Sequence, residues 1–160
     1  MQNQSRLGIM ARPRGGQWLD SEIRQLKKQE ITTLISLLER QEVTELELQE
    51  EKNRCIEHGI EFYNLPIPDR SIPDSKNAVQ LLIVFIQSQL STGKNVVIHC
   101  RMGIGRSSII AGTFLLTEGY KAKDIFNHIS GLRGLKVPDT VEQIRWLENF
   151  ASSANRSHFP

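Results

Sequence analysis

Nine consecutive residues, His99-Cys100-Arg101-Met102-Gly103-Ile104-Gly105-Arg106-Ser107, bring together most of what attack on a phosphate ester requires. Such an attack needs a thiolate, stabilisation of charge on three equatorial oxygens, a proton for the leaving group and an in-line approach. Cys100 offers the sulfur, and a cysteine beside a helix start in a positive field is a thiolate near neutral pH. The backbone N–H groups of residues 101–106 suit the oxygens, as does Arg106, whose guanidinium can grip two of them. Gly103 and Gly105 let the backbone turn tightly enough for the amides to converge. His99, Arg101, Met102, Gly103, Ile104, Gly105 and Arg106 are therefore the expected phosphate-binding set, with Cys100, Arg106 and Ser107 in catalysis. Ser107 is expected to hydrogen-bond the Cys100 sulfur. His99 is expected to order the loop through its ring nitrogens, a general-base role being the weaker option. The stretch is not a Walker A loop, because no Gly-Lys-Ser/Thr follows the glycines, nor a Gly-x-Gly-x-x-Gly fingerprint.

A carboxylic acid that protonates the leaving oxygen would complete the chemistry. The loop from Pro66 to Asp74 carries three prolines and two aspartates. Asp74 precedes Ser75 at a helix start and has a capping role available. Asp69 stands mid-loop beside Arg70, with no capping duty, and is the expected acid.

These residues need a scaffold. Val96-Val97-Ile98 reads as a buried strand leading into the loop, and Ser108 to Leu116 as a buried helix leading out of it. A strand, a glycine turn and a helix aim backbone amides and a helix N-terminus at an anion. Further strands are expected at Leu7–Met10, Ile31–Leu38 and Ile60–Leu65. Expected helices are one capped by Asp20 and ending near Gln29, and one capped by Thr44, with Glu47 in a capping box, ending at His58. Others span Ser75–Thr92, Ala122–Leu132 and Thr140–Phe150, and the tail Ser152–Pro160 is expected to fray. Strands alternating with helices imply an α/β fold with a central, mainly parallel sheet of about four or five strands, flanked by helices on both faces. Ligands gather outside the carboxyl ends of such strands, where residues 99–100 and 66–74 both lie.

The length of 160 residues suits a single domain, with its core at about residues 8–150. A formal charge of +2 does not point to nucleic acid or membrane. The longest apolar run, Leu81–Ile86, is far short of a membrane span, and the N-terminus has no signal-peptide pattern. Two cysteines in a chain that needs no disulfide framework fit a reducing compartment, so a cytoplasmic location is expected. Cys55 and His58 are spaced like half a zinc site, but no second pair exists, and neither metal nor cofactor is expected. Arg12, Arg14 and Trp18 form either a substrate rim or a solvated loop with one packed tryptophan. Arg133 either helps position phosphate or pairs with Asp139.

The pattern His99-Cys100-(101–105)-Arg106-Ser107 resembles the signature of the cysteine-dependent protein tyrosine phosphatases. Short length and the flanking pattern make it most similar to their dual-specificity subgroup. Leu65-Pro66-Ile67-Pro68-Asp69, Arg133-Gly134 and Val137-Pro138-Asp139-Thr140 resemble kinase-associated-phosphatase-like members. The resemblance implies a phosphocysteine intermediate, no metal, Asp69 as acid and then base, and a phosphorylated protein or peptide as substrate. It raises two further roles: a Cys55–Cys100 disulfide under oxidation, and placement of the hydrolytic water by Gln143. Alternatives are the same chemistry on a phosphoinositide or RNA 5′-phosphate, and a catalytically silent phosphate-binding module. A monomer is favoured.

Overall fold

The computed structural model describes residues 4–156. Four parallel strands form one sheet: β1 (Leu7–Met10), β2 (Thr33–Ser36), β3 (Glu61–Asn64) and β4 (Val96–His99), in the order β1-β4-β2-β3. The register aligns Met10, His99, Ser36 and Asn64 in one row. All four chains therefore leave the sheet at the same edge and level. Bonds beyond the strands keep them together: Leu37 N–H donates to His99 O, Leu65 N–H to Ser36 O and Ile67 N–H to Leu37 O, each at 3.0 Å.

Side-chain alternation along β2 and β4 divides the interior into two layers. Ile35, Val96 and Ile98 face the larger core, which is covered by α4 (Lys76–Ser91), α5 (Arg106–Thr117), α6 (Ala122–Arg133) and α7 (Val141–Arg156). Leu34 and Val97 face the smaller one, packed by α1 (Leu19–Lys28), α2 (Arg40–Glu45) and α3 (Glu51–Glu57). Both strands are buried at every position, which explains why their sequences are continuous apolar runs rather than alternating ones.

Three local expectations are corrected. Asp20 is not the N-cap of α1; that place is Trp18's, at the end of a single 3₁₀ turn, and Asp20 instead pairs with Arg24 and His58. Leu19 and Ile23 must face the core, which draws the helix start forward. The helix expected from Thr44 to His58 is two helices. Glu39 caps the first, in a reciprocal box with Glu42. Glu47 then takes a left-handed φ of 54°, which breaks the run and lets Leu48 bury between the two. Thr44 Oγ1 only donates back to Arg40 O. Finally α7 continues to Arg156, so the expected frayed tail is helical through that residue; residues 157–160 lie outside the described part. Ser75 does cap α4, its hydroxyl accepting from Ala78 N–H at 3.0 Å, which leaves the exposed Asp74 without that duty.

Candidate active site

Cys100 directly follows β4, and α5 begins six residues later at Arg106. Between them none of the N–H groups of residues 101–105 donates to a protein acceptor among the described residues. Consecutive unpaired amides closed by a helix start make an anion-binding nest. Packing shapes it from three sides. Gly103, at φ 70°, lies against the backbone of β1, where an added Cβ would come within 2.7 Å of the Met10 carbonyl. A Cβ on Gly105 would meet Asp139 and Gln143 at 2.5–2.8 Å. Arg133 Nη1 donates to Gly103 O, so this side chain braces the loop and does not pair with Asp139. Ile104 leans on the larger core, whereas Met102 is 64% exposed on the rim.

Arg106 is 2% exposed, and its guanidinium already grips two oxygens, those of Glu42. Nη1 donates to Oε2 at 2.7 Å and Nη2 to Oε1 at 2.8 Å. Nη1 also reaches Ile67 O at 2.9 Å, and Nη2 reaches Asp69 Oδ1 at 2.9 Å. All of these bonds use the terminal nitrogens; the Nε–H takes part in none of them. Burial opposes both charges, but the paired hydrogen bonds outweigh it. Glu42 is held below the usual carboxylate range by Arg106 and by the Glu39 N–H, and Arg106 is held above its ordinary value. The 66–74 loop and the cysteine loop thus meet through Asp69 and Arg106, with half of the Asp69 side chain open to solvent.

His99 lies beneath the loop rather than in the expected phosphate-binding set, because its ring is completely buried. Nδ1 faces Cys100 O at 3.1 Å and Nε2 faces Glu51 Oε1 at 2.5 Å. A carbonyl only accepts, so Nδ1 carries a hydrogen and points it at the backbone of the cysteine. Ser107 also departs from expectation. Its hydroxyl is buried with no partner among the described residues, and no bond to the Cys100 sulfur forms. Arg101 is engaged by Glu45 at 3.7 Å and Glu42 at 4.0 Å.

Gln143 is buried and used structurally. Its Oε1 accepts from the N–H groups of Asp139 (3.0 Å) and Thr140 (3.2 Å), and its Nε2 donates to Ser71 O at 3.0 Å. It ties the acid-bearing loop to the start of α7. At the rim, Arg14 is taken by Glu22 and stacks over Trp18, leaving Arg12. Cys55 belongs to the smaller core and Cys100 to the larger, on opposite faces of the sheet. Both are free thiols here, and burial pushes Cys55 up to about 12.

Glu42 and Glu51 are the residues sequence reasoning missed. Each stands on a face its helix buries: Glu42 four residues from Leu38 and Leu46, Glu51 three after Leu48 and four before Cys55. A carboxylate on an apolar stripe was the available signal.

The comparisons place the chain by sequence and by fold. Porcine cyclin-dependent kinase inhibitor 3 is 27% identical over 96 residues, covering 59% of this chain and 45% of the relative. Human dual specificity protein phosphatase 5 is 29% identical over 53% of this chain, and the match takes in 22% of that protein. The chain thus spans half or less of these relatives' length. A kinase associated phosphatase whose catalytic-site cysteine was replaced by serine shares the fold, with TM-score 0.86, 21% identity and coverage of 96% of this chain and 89% of that one. PTPMT1 in complex with PI(5)P does so at TM-score 0.82 and 17% identity, covering 99% and 98%. Among the described residues no helix is long and apolar enough to cross a membrane. Residues 8–120 match the family described as polymorphic toxin system, DSP-PTPase phosphatase, and over that stretch, well beyond half its length, the chain belongs to it.

Proposed function

We propose that the protein hydrolyses phosphomonoesters on phosphorylated proteins through a phosphocysteine intermediate. The observation that carries this is the convergence of Cys100, the unpaired loop amides, Arg106 and Asp69 at one sheet edge. The phosphoryl oxygens take the amides of the loop, the Arg106 Nε–H and the Nη2–H that Asp69 now occupies. Asp69, displaced from the arginine and half open to solvent, takes up a proton from water and turns to the ester oxygen. Cys100 sulfur attacks phosphorus in line, the P–O bond breaks, and Asp69 gives its proton to the leaving oxygen. In the second half, Asp69 as carboxylate takes a proton from water. The water oxygen bonds to phosphorus, the S–P bond breaks, and orthophosphate leaves with the thiolate restored.

A phosphoinositide monoester is the second reading, suggested by the likeness to PTPMT1 with its bound PI(5)P. The one basic side chain among the variable loop positions, Arg101, is engaged by Glu45 and Glu42, which counts against a densely charged headgroup. The test is hydrolysis of para-nitrophenyl phosphate and a phosphotyrosine peptide by the wild type beside Cys100→Ser. Turnover by the wild type alone, with peptide retained by the variant, supports the proposal. Tight peptide binding by the wild type without turnover makes the protein a silent phosphate-binding module.

A further inference from the structure

Two basic side chains flank the cradle with no part in its chemistry. Arg12 follows β1, and its backbone N–H donates to Arg101 O at 3.2 Å, which fixes it beside the loop. Its Nη1 turns only to the neighbouring Pro13 carbonyl. Arg70 follows Asp69 in a turn closed by Ser71 N–H to Pro68 O at 3.0 Å. It is exposed, with a left-handed φ of 56° at the turn position where glycine is relaxed. A bulky cation is kept there against the backbone's preference, next to the candidate acid. Neither arginine has a carboxylate partner among the described residues. Their neighbours do: Arg14 has Glu22, Arg101 has Glu45, and Arg106 has Glu42.

Sheet order sets these cations on opposite sides. Arg12 leaves β1 and Arg70 follows β3, with the cysteine strand β4 between them. In the sheet β4 is the direct neighbour of β1 and lies two strands from β3. A third side carries the exposed Asp139 beside Gly105, without a basic partner among the described residues, and the Arg133 guanidinium nearby is committed to the Gly103 carbonyl. Resting on the phosphatase reading above, we infer that Arg12 and Arg70 select phosphopeptides carrying acidic residues on both sides of the phosphorylated one. Arg101, the cation at a variable position of the loop itself, is engaged by Glu45 and Glu42, which favours the peptide over an inositol ring carrying a second phosphate.

The experiment compares kcat/KM at low ionic strength for a phosphotyrosine peptide with Asp at both flanking positions, the same peptide with Asn, and phosphatidylcholine vesicles doped with a phosphatidylinositol monophosphate. The acidic peptide should be preferred over the neutral one by about fivefold to tenfold, converging toward parity in high salt. Arg12→Gln and Arg70→Gly should each shrink the ratio about threefold, the double variant should abolish it, and Arg70→Lys should keep it. Arg70→Gly relieves the turn, so its unfolding midpoint should not fall below the wild type's. A wild-type ratio near one with both peptides hydrolysed, an undiminished ratio in the double variant, or preference for the vesicle overturns the inference. Failure to hydrolyse either peptide and para-nitrophenyl phosphate overturns the phosphatase reading instead.

Discussion

The Arg106 guanidinium is clamped by Glu42 through two parallel hydrogen bonds of 2.7 and 2.8 Å, both partners being buried. Removing one member of such a pair strands the other charge. Glu42→Ala should lower unfolding free energy by about 3 kcal/mol, at the low end for such losses because Arg106 keeps Ile67 O and Asp69. It should also cut kcat/KM about a hundredfold, since the phosphate-facing edge is no longer aimed. Denaturant titration and hydrolysis of an aryl phosphate measure the two losses.

The same clamp makes stability depend on acid. Folding holds the Glu42 carboxyl below its ordinary 4.5, so across that interval the unfolded chain binds more protons. The stabilisation is complete above about pH 4.5 and is lost as pH falls through the lower folded value. Asp20, lowered by its His58 hydrogen bond, works in the same direction. Unfolding midpoints from pH 3 to pH 6 should therefore fall less steeply in acid for Glu42→Gln than for the wild type.

Asp69→Asn should reduce turnover of alkyl phosphates by about 10²–10³, and of aryl phosphates with good leaving groups far less. Equal losses on both would remove Asp69 from the acid role.

The two cysteines should react differently. Cys55, pushed up to about 12 by burial, stays a thiol, so iodoacetamide on the native protein at pH 7 should modify Cys100 alone. Peptide mapping by mass spectrometry after mild peroxide should find Cys100 oxidised ahead of any Cys55–Cys100 linkage, because Cys55 is buried and held as a thiol.

Gly103→Ala would press a Cβ against the Met10 backbone at 2.7 Å, in a left-handed conformation. A cost of about 3 kcal/mol and near-complete loss of activity are expected, the first by thermal or denaturant unfolding.

The cysteine loop could be read from sequence because its chemistry is contiguous: one strand, one turn and one helix start carry the cysteine, the amides and the arginine. The parallel sheet was equally legible, from short buried runs between helices. What escaped is held by contacts across the fold. Glu42 reaches Arg106 over 64 residues and Glu51 reaches His99 over 48, and nothing local distinguishes them from the exposed glutamates around them except their place on an apolar stripe. Thr44 and Glu47 formed a plausible capping box that lost to the one at Glu39 and Glu42, where the second carboxylate also gained Arg106. Asp69 was legible only as a candidate; its contact with Arg106 needed the register that ends all four strands at one level.

The clamp on Arg106 also bears on how a catalytic cycle would end. A free arginine side chain loses about 2 kcal/mol of rotamer entropy when an anion orders it. Here Glu42 has ordered it during folding, so orthophosphate, like an ester, has only Asp69 to displace from it. Product release then becomes the step that rigidity slows, and orthophosphate should act as a competitive inhibitor whose grip weakens when Glu42 is removed.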